Sequence, residues 1–253
     1  MPGSASLRSV EEAVGFEGAE ELLLGAEFED CRHLWYSSNY VFLAQMCGPG
    51  GQPFAAVYKP GAGESPLWDF PDGQLYRREA AAYRLARLLG WNFVPPTVVR
   101  DGPHGEGSVQ VFVRHDHQSH FFTQREDPQL VPQLQRMAVF DFVANNADRK
   151  GGHCLLDAEG QIWGIDHGLC FHRQYKLRTV IWDWADESVP DQLMGDIEAA
   201  HDAILEESEL ARPLLDLLSE RDAAALMDRM KRMMEWRRLP LPGPHRSYPW
   251  PLV

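Results

Sequence analysis

The sequence predicts an α+β fold in two lobes: an N-terminal antiparallel sheet carrying one helix, then a mostly helical C-terminal lobe with a cleft between them. Three observations point there. Residues 27–60 read as consecutive β-rich runs separated by turn residues. A single strongly helical stretch, "GQLYRREAAAYRLARLLGW", stands between those runs and two further strands. From about residue 129 onward helical spacing dominates.

Each element has its own signal. Ser9 and Glu12 in "SVEE" have capping-box spacing, which predicts a short helix over 9–24. Residues 1–26 are therefore expected to form an N-terminal helical extension. "EFEDCRHLWYSSNYVFLAQM" gives two β runs interrupted at Ser37, Ser38 and Asn39, and "CGPGGQP" (47–53) is a Gly/Pro turn. "FAAVYKP" (54–60) is an apolar strand whose last residues include Lys59. In the helix that follows, Leu75, Tyr76, Glu79, Tyr83, Ala86 and Leu89/Gly90 keep 3–4 residue spacing, with alanine as the best helix former. "FVPPTVVR" and "GSVQVFVR" alternate as strands, closing a lobe expected over 27–114.

The second lobe is expected over 115–237. "PQLQRMAVFDFVANNA" is helical and runs into a short hairpin around "CLLDAEGQIWGI". Helices follow over 191–207, 209–218 and 219–237. The last opens on Ser219 and Asp222 at capping-box spacing and carries an apolar stripe of Leu226, Met230, Met233 and Met234, expected as core. The proline-rich tail, 238–253, cannot be helical and either docks as an extended arm or hangs loose.

Composition sets limits. A formal net charge of −13 argues against nucleic acid or an anionic membrane surface as the main partner, since both are polyanions. No apolar run approaches the ~18–20 residues that span a bilayer, and no export signal is visible. Cys31, Cys47, Cys154 and Cys170 have neither CxxC spacing nor a disulfide-dense frame, so reduced thiols in a cytoplasmic protein are expected.

The chemistry gathers in two places. Lys59 ends an apolar strand, and Glu79, twenty residues on, lies in the helix where it can hold the Lys59 ammonium. A strand lysine paired with a helix glutamate is how kinases seat nucleotide phosphates. In "ADRKGGHCLLDAEGQIWGIDHG", Asp148 sits in a turn after a helix and suits orientation of an acceptor hydroxyl. Asp166 sits at a strand end and suits a metal ion, and the hairpin between them is expected to fold one loop beside the other.

These motifs resemble the catalytic loop and metal motif of phosphatidylinositol 3-/4-kinase-like proteins, Asp-Arg-His-x-x-Asn followed by Ile-Asp-Phe-Gly. The chain looks most like a bacterial, actinobacterial branch of that superfamily, and is distantly similar to HipA-type kinases. The likeness covers roughly residues 27–185, with "VYKP", "REAAAYRLA" and "DHG" in the family's order. It implies a two-lobed protein-kinase-like fold and an ATP- and Mg²⁺-dependent phosphotransferase, with Mn²⁺ as an alternative ion. By position it makes Lys59 the phosphate ligand, Asp148 the catalytic aspartate and Asp166 a metal ligand. "YSSNY", with Ser37, Ser38 and Asn39, becomes the phosphate-covering loop, and Phe112 and Val113 become the hinge that meets adenine. Two positions depart from the family: Lys150 replaces its histidine, placed to neutralise a γ-phosphate, and His153 replaces its asparagine as the second metal-ligand candidate.

Other readings compete. A catalytically silent, pseudokinase-type nucleotide-binding module is the alternative, motivated by Lys150 and His153. A zinc hydrolase built on His153, His167 and His172 is a third, and "RHDHQSH" (His115, His117, His120) and "DHGLCFH" (with Cys170) are weaker zinc candidates, because structural zinc favours four closed ligands and cysteine. Lys176 and Arg178, after the metal motif, are placed to meet an acidic substrate. The expected acceptor is a protein or soluble metabolite, with no nucleic acid partner and no stable membrane association.

Overall fold

The computed structural model describes residues 18–34, 40–70, 74–244 and 246–253. The chain divides into two compact units, one of Met1–Ala80 with Pro95–Arg114, the other of Ala81–Val94 with His115–Val253. The Ser9/Glu12 cap and the Ser37–Ser38–Asn39 loop fall outside the described residues.

The first unit is built on a five-stranded antiparallel sheet: β1 (Glu27–His33), β2 (Phe42–Cys47), β3 (Pro53–Pro60), β4 (Thr97–Gly102) and β5 (Gly105–Val111), in spatial order β1-β2-β3-β5-β4. A helix over 18–25 (α1) precedes it, with Ala19, Leu22 and Leu23 buried. Period-two alternation sends Phe42, Ala44 and Met46 of β2 inward with Phe54, Ala56 and Tyr58 of β3. The buried Tyr58 hydroxyl donates to Gly105 O at 2.5 Å, as a buried phenol must find a partner. Gly107 of β5 permits the close approach of β3, because a Cβ there would lie 2.4 Å from Lys59 O. "FVPPTVVR" becomes a strand only from Thr97, since Pro95 and Pro96 bring no N–H to a ladder.

Helix α2 (Leu75–Leu88) leaves the first unit after Ala80 and continues in the second. Of its expected face, Leu75, Glu79, Tyr83, Ala86 and Leu89 are buried while Tyr76 is half-buried and Gly90 exposed; Ala80, Ala81, Ala82 and Leu85 are buried too. Residues 81–94 group with the second unit through Trp91, whose Nε1 donates to Asp196 at 2.7 Å, and Phe93, which meets Phe140 edge-on at 5.0 Å.

In the second unit a single turn, α3 (Phe121–Gln124), precedes the apolar α4 (Val131–Ala144). Asn145 ends α4 in the left-handed region (φ 55°), which asparagine tolerates. The hairpin β6 (Cys154–Leu156) and β7 (Ile162–Gly164) turns on Asp157, whose Oδ1 accepts from the Glu159 and Gln161 amides. Gln133 of α4 fastens it, donating to Gly160 O and accepting from Ile162 N, both at 2.8 Å. After an irregular stretch come α5 (Asp191–Leu205), α6 (Arg212–Leu215) and α7 (Glu220–Trp236). The 209–218 helix is thus reduced to one turn. Ser219 caps α7 by accepting from Asp222 N at 3.2 Å, and Leu226, Met230 and Met233 are buried where α7 packs on α4 and α5. The tail is non-helical, as its prolines require.

Candidate functional site

The first unit holds Lys59 and Glu79. Lys59 Nζ donates to Glu79 Oε1 at 2.5 Å, with the two side chains 24% and 5% exposed. A carboxylate that buried needs a cationic partner, and the last residues of β3 present one to the second turn of α2. At the expected hinge, Phe112 N donates to Ala55 O at 3.1 Å, which takes that N–H out of any contact with adenine, and Val113 is buried.

The second unit holds Asp148, Lys150, His153 and Asp166. Asp148 follows the end of α4, its amide donating to Asn146 Oδ1 at 3.0 Å. Lys150 Nζ reaches Asp148 Oδ2 at 3.2 Å, and the Asp148 side chain is 24% exposed. Burial pushes the Asp148 carboxyl above the usual aspartate range. Lys150 pulls it down by charge and hydrogen bond, Asp166 pushes it up, and Arg246 pulls it down. The hairpin therefore returns Asp166 close enough for its charge to act on Asp148. Asp166 takes a positive φ of 63° directly after the Ile165 amide has bonded His153 O, which turns its carboxylate outward, 48% exposed. His153 Nε2 lies 3.2 Å from Asp166 Oδ2.

That spacing suits a hydrogen bond, and it also suits adjacent ligands of one small cation, which stand about 3 Å apart in octahedral geometry. Among the described residues no group of three or more His, Cys, Asp or Glu side chains could hold a metal ion. Mg²⁺ characteristically takes one or two carboxylates and completes its shell with phosphate and water, so Asp166 fits it as a nucleotide-borne ion. His153 offers nitrogen, which Mg²⁺ accepts poorly, and fits better as the partner that orients Asp166. Of the other histidines, His167 is buried with Nε2 2.6 Å from Arg149 Nη2, and His172 Nδ1 accepts from Gln174 N. His115 and His117 touch edge-on at 4.6 Å. Lys176 donates its amide to Asn145 Oδ1 at 2.8 Å, and Arg178 pairs by backbone with Asn146 and Arg149.

The residues that hold this arrangement were not candidates in the sequence reading. Arg149 and Asp141 form an ion pair whose side chains are both 0% exposed. Asp141 also accepts from Asn146 Nδ2 and Thr179 Oγ1, while Arg149 Nη1 donates to His153 O and Ile165 O. One guanidinium thus ties the loop carrying Asp148 to the segment carrying Asp166. The sequence did hold a signal, an acidic residue inside the apolar run "MAVFDFVA" with an arginine eight positions on. The tail touches the same loop: Leu252 O accepts from Gly151 N at 2.7 Å, and Ser247 O accepts from Thr179 N and Trp182 Nε1.

With this geometry in hand, the comparisons define the class first: the fold is kinase-like. It matches the structure of hydra Fam20 with sugar at a TM-score of 0.57 and 13% identity, covering 92% of this chain and 95% of that one. It also matches the Helicobacter pylori proinflammatory kinase CtkA at 0.51 and 12%, covering 86% and 94%. The family model for phosphatidylinositol 3- and 4-kinase matches residues 97–235, more than half of the chain. The chain belongs to that family. Protein Rv2133c of Mycobacterium tuberculosis is 39% identical over 252 residues, covering 85% of this chain and 88% of that protein. Phosphatidylinositol 4-kinase gamma 4 of rice is 32% identical over 124 residues, covering 42% of this chain and only 22% of the plant protein.

Two outcomes follow from the geometry. Arg149→Met leaves Asp141 buried without its cation and should cost about 3–5 kcal/mol, measured by denaturant unfolding. Lys150→Met removes both influences of Lys150 that lower the Asp148 pKa, so the Asp148 carboxyl should titrate at still higher pH, followed by carboxyl NMR of the metal-free protein. The sign is set by linkage: folding raises this pKa, so the group's stabilisation is full below the ordinary aspartate range. It is lost as pH rises through the raised value, and the variant should push that loss upward.

Proposed function

We propose that this protein is an ATP- and Mg²⁺-dependent phosphotransferase acting in the cytoplasm on a protein or soluble metabolite. The observation that carries this reading is the Lys59–Glu79 pair, a strand lysine held by a buried helix glutamate in a chain of this family. Lys59 binds the α/β-phosphates, and Glu79 keeps its ammonium from swinging away. Ser37, Ser38 and Asn39 cover the phosphates. The adenine edge meets backbone beside Phe112 and Val113, by the Phe112 carbonyl rather than its N–H. Asp148 orients the acceptor hydroxyl and takes its proton as the γ-phosphoryl group passes to the acceptor oxygen and ADP leaves. Lys150 steadies Asp148 and offsets γ-phosphate charge. Asp166 holds the metal, oriented by His153, and Mg²⁺ when bound supplies neutralisation of the phosphate charge. The acidic balance of −13 disfavours approach to an anionic bilayer, and among the described residues no helix is long and apolar enough to cross a membrane. The four cysteines are free, in keeping with a reducing compartment.

One observation favours a second reading, a nucleotide-binding module without turnover: the Lys150 ammonium occupies an oxygen of the carboxylate that must accept the proton. Transfer of label from γ-labelled ATP to cell extract or to phosphatidylinositol vesicles separates these readings. Transfer to soluble acceptors, reduced at least about 100-fold in Asp148→Asn and lost in Asp166→Asn, is the expected result. Label in the lipid alone would overturn the acceptor choice. ATP-dependent thermal stabilisation without any transfer would establish the silent module. His153→Asn, which places an amide oxygen beside Asp166, should raise the ratio of the apparent affinity for Mg²⁺–ATP to that for Mn²⁺–ATP relative to the wild type.

A further inference from the structure

On the second unit, α7 and the segment after Asp166 enclose a cavity of about 230 Å³ lined by Arg173, Tyr175, Ala225, Asp228, Arg229 and Arg232. Ala225, Asp228, Arg229 and Arg232 stand at i, i+3, i+4 and i+7, one face of α7. The small Ala225 side chain leaves room on that face. Three guanidinium groups meet one carboxylate here, on a chain whose net charge is −13. A concentration of positive charge against such a background is unusual.

Arg229 is the distinctive member. It is only 5% exposed, its Nε donates to Val143 O at 2.7 Å and its Nη1 to His172 O at 3.4 Å, while its Nη2 has no hydrogen-bond partner among the described residues. Both acceptors are carbonyls. Burial lowers its pKa to about 10, with the charges of Cys170, Asp222 and Asp228 opposing that and Arg232 adding to it. It stays cationic at neutral pH, so a buried charge stands here without an ion-pair partner, a costly state that an anion relieves.

We propose that this cavity binds a phosphate monoester, with Arg229 at its floor, Arg173 and Arg232 at its rim and the Tyr175 hydroxyl as a further donor. A guanidinium fork matches phosphate oxygens in two-bond geometry, and a dianion suits a lining of three guanidiniums and one carboxylate better than a lone carboxylate ligand would. Neither Asp148 nor Asp166 lines this cavity. Its occupancy nevertheless bears on the segment after Asp166, because His172 O accepts both from Arg229 and from Asn145, the residue that ends α4 ahead of Asp148.

The test is calorimetric titration of the full chain with inorganic phosphate at constant ionic strength, chloride serving as the balancing anion. Saturable binding is expected, weakened about tenfold or more in Arg173→Ala and in Arg232→Ala, as loss of a charge-assisted hydrogen bond implies. Weakening in both rim variants assigns the binding to this cavity rather than to a nucleotide site. Arg229→Gln is the direct variant; because Arg229 is buried, the two rim variants keep the test valid if it does not fold. Titration with O-phosphoserine and with glycerol 3-phosphate then distinguishes a phosphorylated residue from a phosphorylated metabolite as the source. Binding absent from the wild type, or undiminished in Arg173→Ala/Arg232→Ala, overturns the proposal.

Discussion

The second unit is organised by one buried ion pair, Arg149 with Asp141. Burial alone would lower the arginine's pKa, but Asp141, with Cys154 and Cys170 adding to it, more than offsets that and holds the pKa above the ordinary arginine value. Asp141 receives Arg149 Nε and Nη2, Asn146 Nδ2 and Thr179 Oγ1. Arg149 spends its remaining donors on two backbone carbonyls and on the ring of His167. A buried pair satisfied this fully contributes little net stability over an apolar substitute. Its value here is register: every group it touches lies on α4, the loop after it, or the segment from 165 to 179.

That register explains why the Asp148 and Asp166 carboxylates sit where they do. Asp148 immediately precedes Arg149 and Asp166 immediately precedes His167, so each projects outward from a residue pinned inward. Asp148 keeps enough burial to raise its pKa, and Lys150 counters the shift without abolishing it. Arg229 provides the contrast. It is nearly as buried as Arg149, yet its pKa moves the other way, because its bonded partners are carbonyls and no carboxylate completes the pair. Similar burial gives opposite outcomes when one arginine is charge-matched and the other is not.

The tail adds a further constraint. Its Leu252 carbonyl occupies the Gly151 amide, three residues past Asp148, and Ser247 accepts from Thr179, which itself holds Asp141. The extended tail therefore lies beside the loop that carries Asp148. Lys59 in the first unit depends on different physics: a sheet whose β3 and β5 approach closely at Gly107, and a buried glutamate that fixes a single ammonium.

Much of this was legible in the sequence, for identifiable reasons. Alternation and turn residues gave the strands and 3–4 residue spacing gave α2 and α7; Lys59 and Asp166 stood out as charges ending apolar runs, Glu79 by its place in a helix twenty residues after Lys59, and Asp148 by its turn after a helix. Periodicity failed where proline overrode alternation at Pro95 and Pro96, and where 209–218 kept only one helical turn. The sequence alone determined which residues carry charge and which faces turn inward, since both follow from local chemistry and helix or strand period. Only the tertiary structure decided that Arg149 rather than a neighbour faces Asp141, that Leu252 meets Gly151, and that Arg229 is left without a carboxylate. Those are partnerships between distant segments, fixed by packing and by the need to satisfy every buried donor, and no local spacing encodes them.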